Sequence, residues 1–191
     1  MPKPQVRRGF IKEAHAWASD LRDDMKLAAD APLCPRALCI HLGIPVLLLS
    51  KLPACPERDL LLARKKGHSF SAAVCFEGIK AFILLNDANE RKRQASDIAH
   101  ELAHVLLRHK PIYPFLDGGV REFSPEDEQE AEVLGPALLV SEKAALLAYR
   151  LIYQQREHTL ASLSEHWGIT PDVIRWRMNA VGASKRVKIA A

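Results

Sequence analysis

The chain has 191 residues, of which 48% are hydrophobic and 26% are charged. This length suits one domain, or one domain with a small appendage, and the composition excludes a disordered chain except at its ends. The formal charge of +4 lies in the tail, because residues 150–191 carry 7 basic and 3 acidic side chains. Such an excess indicates either a solvated helix face or an acidic partner such as nucleic acid.

The N-terminal residues lack the apolar core of a secretory signal, and the longest apolar run, residues 44–49, is too short to span a bilayer. We therefore expect a cytoplasmic protein that does not enter a membrane. The cysteines form no C-x-x-C pair, so we expect reduced, partly buried thiols rather than a second metal site. They are Cys34, Cys39, Cys55 and Cys75.

The first part of the chain predicts two helices, a short strand and a β-hairpin. Residues 7–29 show an apolar stripe at helical spacing, and a second helix follows over 36–42. The apolar residues 46–49 predict a short strand. Residues 69–76 and 79–85 predict a hairpin, and we expect its second strand to lie beside a cleft where an extended substrate could pair with it.

The next predicted helix, residues 90–109, contains the pentapeptide H-E-x-x-H at His100, Glu101 and His104. An α-helix turns about 100° per residue, so the two histidines lie one turn apart on one face and can bind one Zn²⁺ ion. Glu101 can then act as general base toward a water molecule. The alternative is a pair of surface histidines beside a solvated glutamate.

A catalytic zinc site needs a third protein ligand and an open position. Ser124 and Pro125 predict the start of a helix whose packed face includes Ala131. Glu128 lies at the edge of that face, and we predict it as the third ligand. Glu132, one turn later, is predicted to accept the free N–H of a zinc-binding histidine. The alternative is a solvated acidic helix terminus, which is our interpretation of Glu126, Asp127 and Glu130.

The tail predicts a helix over 141–156 and then a helix, a glycine turn and a second helix over 160–178. On the second of these helices, Arg175 and Arg177 are candidate nucleic-acid contacts. The alternative, which we favour, is a bihelical unit that packs on the catalytic part or docks the substrate protein.

Several stretches occur in an order that resembles one known family. They are a helix followed by Gly-Ile-Pro-Val at 38–46, a strand that ends in Asn at 81–86, the helix segment 93–107, and the segment 128–140. In these stretches, within about residues 10–185, the chain is similar to the ImmA/IrrE-type zinc metallopeptidases, a gluzincin-like group.

The resemblance implies zinc ligands at His100, His104 and Glu128 and a catalytic base at Glu101. It also implies a cytosolic bacterial or phage-related peptidase that cuts a transcriptional repressor. The chain departs from the family pattern at three places. Glu132 stands where the family usually has Asn or Asp, Gly135-Pro136 replaces helix-forming residues and should kink the helix, and Ser141 stands where Pro is frequent.

We therefore expect an α+β fold: a mostly helical zincin-like domain with a small β-sheet, and a helix-turn-helix-like unit at the C-terminus. The predicted boundaries are 1–149 for the catalytic domain, 150–184 for the tail packed on it, and 185–191 for a flexible basic end. Residues 1–8 are also expected to be flexible.

Two functions follow from these features. The first is a zinc-dependent endopeptidase, with one Zn²⁺ per chain, that acts on a protein substrate. The second is a zinc-containing DNA-binding regulator without protease activity, suggested by the basic tail. The second gives no reason for a glutamate at position 101, so we rank it below the first. His109, Tyr113 and Tyr149 are candidates for oxyanion stabilisation by proximity alone.

Overall fold

A computed structural model describes residues 6–54, 70–110 and 123–189. It is mostly helical with one small sheet in the described part of the chain, which confirms the predicted α+β class. The elements are α1 Phe10–Asp24, α2 Pro35–His41, β1 Val46–Leu48, β2 Ala72–Glu77, β3 Lys80–Leu85, α3 Arg91–Leu107, α4 Pro125–Leu139, α5 Glu142–Tyr149, α6 Leu160–Trp167, α7 Pro171–Ala180 and α8 Ala183–Ile189.

The sheet has the strand order β1-β3-β2. β3 is parallel to β1 and antiparallel to β2, with Val74 opposite Ile83. β3 is therefore the central strand, and β2 is an edge strand of the described sheet. The backbone N–H of Val74 on β2 donates to the Glu101 carboxylate of α3. Our expectation that an extended substrate could pair with the second hairpin strand was wrong, because this strand pairs with β1 on one edge and with β2 on the other.

Two clusters of buried apolar side chains hold the helices together. The first lies between α1, α2, the sheet, α3 and α4, and it includes Phe10, Leu38, Ile83, Leu102 and Leu134. The second lies between the end of α4, α5 and the tail helices, and it includes Leu139, Ala148, Leu163, Ile174 and Met178. Ala99 of α3 belongs to the second cluster, so the helix that carries H-E-x-x-H contacts both.

The helix α4 passes closer to α3 than an ordinary side chain would permit. A Cβ atom at Gly135 would lie 3.1 Å from the backbone nitrogen of His100 and 3.2 Å from the carbonyl of Ala99. The helix continues through Pro136 as far as Leu139. The Gly-Pro pair thus lies inside the helix, where the backbone of α4 is close to Ala99 and His100 of α3.

In the tail, α5 continues into a π-helical turn, Arg150–Gln154, before α6. Gly168, with a φ of 66°, ends α6 in the left-handed conformation, and the Thr170 hydroxyl caps α7. The last helix, α8, runs to Ile189, and Val187 on it is buried. Among the described residues, no helix combines the length and the apolar character that a membrane crossing requires.

Candidate metal centre

The side chains of His100, His104 and Glu128 converge in the groove between α3 and α4. The Nε2 atoms of the two histidines lie 3.2 Å apart. Glu128 Oε2 lies 3.2 Å from His100 Nε2, and Glu128 Oε1 lies 3.7 Å from His104 Nε2. Within the described ranges, these three residues form the group of potential ligands close enough to share one ion.

These separations fit a bound metal ion. Two ligand atoms in tetrahedral positions about 2.0–2.1 Å from a zinc ion lie about 3.3–3.4 Å from each other. The three measured distances bracket this value, so a shared ion needs only small side-chain movements. Two imidazole nitrogens and one carboxylate also leave a position open, as a catalytic metal requires.

The pKa shifts of His104 and Glu128 favour the forms that bind a metal, whereas the shift of His100 favours its protonated form, which must lose a proton before it binds. Burial, with the charge of His100 adding to it, lowers the pKa of His104 to about 3, so its ring is neutral near pH 7. Burial would also lower the pKa of His100, but the hydrogen bond to Glu128 and the charges of Glu101 and Glu128 outweigh it, and the pKa rises. The hydrogen bond with His100 lowers the pKa of Glu128, which keeps it ionised.

Glu101 projects from α3 toward the edge of the sheet. Its Oε2 accepts a hydrogen bond of 2.8 Å from the backbone N–H of Val74, which fixes the carboxylate between α3 and β2. Burial raises the pKa of Glu101, although His100 and the Val74 N–H act in the opposite direction. A carboxylate that is held in place and raised in pKa is suited to accept and then release a proton.

His104 is the most enclosed of the three potential ligands. Phe123 stacks on its ring with a centroid separation of 3.8 Å and an interplanar angle of 18°. Its second nitrogen, Nδ1, lies 3.0 Å from Nδ1 of His109. From the sequence, we predicted His109 only as a candidate for oxyanion stabilisation. The structure places it behind His104, away from the side on which Glu128 lies.

Glu132 lies one turn after Glu128 on α4 and is exposed. Its charge contributes to the raised pKa of His100. No hydrogen bond joins it to His100 or His104 in the described structure, and the partner that His104 does have is His109. Of the other oxyanion candidates, Tyr149 packs with the second cluster and contacts Tyr153, and Tyr113 lies outside the described residues.

The two tail arginines differ in their surroundings. Arg175 is exposed and pairs with Asp172 at 2.9 Å. Arg177 is only 2% exposed, and its Nε donates to the carbonyl of Val140. A guanidinium in that position is part of the packing between α7 and α4, so it could reach a phosphate only by leaving the core.

Comparison with known proteins agrees with this geometry. The family description of the M78 peptidases, the IrrE N-terminal-like domain, matches residues 42–179. The match covers α3, α4 and most of the tail, and it implies a metallopeptidase, a hydrolase of peptide bonds. The chain belongs to this M78 family, as its resemblance to the ImmA/IrrE group predicted. No curated protein and no solved structure shows a match to the chain.

Proposed function

We propose that the chain is a zinc-dependent endopeptidase that binds one Zn²⁺ ion through His100, His104 and Glu128. The proposal is based mainly on the distances of 3.2–3.7 Å between the two Nε2 atoms and the Glu128 carboxylate oxygens. The same set of donors also suits iron(II). Membership of a peptidase family and the carboxylate of Glu101 beside the site favour zinc.

Zn²⁺ bound at this site would supply a Lewis acid that polarises the scissile carbonyl and lowers the pKa of water. Glu101 would take the proton from the attacking water molecule and pass it to the leaving amine. Its raised pKa favours the first transfer, because it makes the carboxylate a stronger base, and the Val74 N–H holds the carboxylate in place. The two histidines and Glu128 would hold the ion, with His104 neutral without having to lose a proton.

The substrate that we propose is a protein, and the resemblance to ImmA/IrrE enzymes suggests a transcriptional repressor. An extended segment beside β2 would lie close to Glu101, because the Glu101 carboxylate already bonds to this strand. Incubation of the zinc-loaded protein with repressors encoded near its gene, followed by mass spectrometry of the products, would identify the cleaved bond.

The Glu101→Gln substitution tests the mechanism. Glutamine keeps an oxygen that can accept the Val74 N–H, but it cannot take a proton from water. We expect zinc content to stay at one per chain while cleavage falls by about 10²–10⁴-fold. The Glu126→Gln variant, an exposed position on α4, serves as the control and should retain both properties. Cleavage at the wild-type rate by Glu101→Gln would rule out this mechanism.

The alternative, a zinc-containing DNA-binding regulator, has less support. It rests on the basic tail and its helix-turn-helix pattern, and one of the two candidate contacts, Arg177, is buried against Val140. It also leaves the hydrogen-bonded, buried carboxylate of Glu101 without a role.

A further inference from the structure

His109 lies just after the C-terminal end of α3, and its ring nevertheless contacts the ring of His104. In a continuous helix, a residue five positions later would point about 140° away. Here Arg108 adopts the left-handed conformation, with a φ of 57°, and ends the helix. The backbone N–H of His109 then donates to the carbonyl of His104, and the two imidazoles meet edge to face with an interplanar angle of 71°.

The contacts of these two rings determine where their protons lie when a metal is bound. His104 Nε2 faces His100 and Glu128, so this nitrogen would bind the metal and carry no proton. A neutral His104 must then carry its proton on Nδ1, which lies 3.0 Å from His109 Nδ1. His104 Nδ1–H therefore donates, and His109 Nδ1 accepts, which requires the proton of a neutral His109 to be on Nε2.

His109 Nε2 is buried and lies between two carboxylates of α4. Asp127 Oδ1 and Glu130 Oε2 are each 3.5 Å away, and neither contact has hydrogen-bond geometry. An N–H at this atom would point into a region of negative charge, which favours the tautomer that the contact with His104 requires. The helix that supplies Glu128 thus also supplies the acids that face His109.

We propose that His109 is a positioning residue that fixes the tautomer and the ring orientation of His104, so that Nε2 of His104 is presented to the metal. This role rests on the metal site of the proposed function. Because His109 lies behind His104, it does not contact a substrate, and its effect would pass through the affinity for the ion. Groups that orient a metal-binding histidine in this way typically change metal affinity by about 10–100-fold.

Metal affinity of two variants tests this role. His109→Phe keeps the size of the ring but removes the acceptor, and we expect the dissociation constant for Zn²⁺, measured by chelator competition, to rise about 10–100-fold. His109→Asn retains an acceptor oxygen near the position of Nδ1, and it should recover most of the affinity. The exposed His41→Asn variant is the control and should bind as the wild type does. Circular dichroism would establish that each variant is folded.

Two results would overturn the role of His109. They are wild-type affinity in a folded His109→Phe protein and equal loss of affinity in His109→Phe and His109→Asn. A wild-type protein that binds neither Zn²⁺ nor Co²⁺ would overturn the proposed function as well, so the two failures are distinguishable.

A second measurement uses only the wild-type protein and decides the question if His109→Phe does not fold. Nitrogen-15 spectra of the histidine rings in the zinc-loaded protein should show a proton on Nδ1 of His104 and on Nε2 of His109. A proton on Nδ1 of His109 would contradict the proposal, because that nitrogen could then not accept from His104.

Discussion

At the scale of single residues, the three potential ligands differ in how far the sequence could place them. His100 and His104 lie on one helix, so helical geometry alone predicts that their rings meet. Glu128 comes from another helix, and its position depends on how α4 packs on α3. The contact between His109 and His104 depends on the left-handed backbone conformation of Arg108. The sequence could not predict this conformation, because arginine rarely adopts it.

The cysteines provide a test of packing beside the site. Cys39 is buried on α2, and burial raises the pKa of its thiol to about 12, whereas Cys34 is exposed. A pKa of about 12 leaves about 10⁻⁴ of the thiol as reactive thiolate at pH 8. We expect iodoacetamide to modify Cys34 readily and Cys39 only after unfolding, as measured by mass spectrometry of digested peptides. Equal modification of both in the folded protein would contradict the packing of α2.

At the scale of elements, the site depends on the distance between α3 and α4. Gly135 lets the two backbones approach, since a Cβ there would meet His100 and Ala99 at 3.1–3.2 Å. From the sequence, we interpreted Gly135-Pro136 only as a departure from the family pattern that should kink the helix. It could not show that the missing side chain faces the backbone of the helix that carries the two histidines.

The Gly135→Ala substitution tests this dependence. Alanine in a helix usually adds about 1 kcal/mol of stability, but overpacking against a backbone costs about 1–3 kcal/mol. We expect a net loss of roughly 1 kcal/mol in the free energy of unfolding and weaker zinc binding, because α4 and Glu128 must move away from the histidines.

Urea unfolding and chelator competition would measure the two effects. Glu126→Ala, at an exposed position on the same helix, is the matched control for helix propensity. A Gly135→Ala protein that is more stable and binds zinc as tightly as the wild type would show that the close approach does not set the site.

At the scale of the whole molecule, two buried arginines, one on α1 and one on α7, donate hydrogen bonds to backbone carbonyls at the end of α4. Arg22 of α1 donates to the carbonyls of Ala31, Leu138 and Leu139, and to that of Ala18 within its own helix. Arg177 of α7 donates to the carbonyl of Val140, while its Nη2 is buried without a hydrogen-bond partner in the described structure. The sequence could not identify these roles, because a lone arginine on an amphipathic helix usually faces solvent.

The two arginines should differ in their contribution to stability. Arg22→Met removes four hydrogen bonds from a charged donor and takes this donor from the carbonyl of Leu138, while the carbonyl of Leu139 keeps the N–H of Leu33, so we expect a loss of about 3 kcal/mol. Arg177→Met also removes a guanidinium that is poorly satisfied, and we expect a loss below about 1.5 kcal/mol. Urea unfolding followed by tryptophan fluorescence would compare them, and an equal or larger loss in Arg177→Met would contradict this difference.

The central claim is that His100, His104 and Glu128 bind one zinc ion, and diffraction from zinc-loaded crystals at the zinc absorption edge tests it most directly. We predict one anomalous peak per chain within about 2.0–2.2 Å of Nε2 of both histidines and of a Glu128 oxygen. A peak elsewhere, or a peak at the two histidines with the Glu128 carboxylate turned away from it, would contradict the claim.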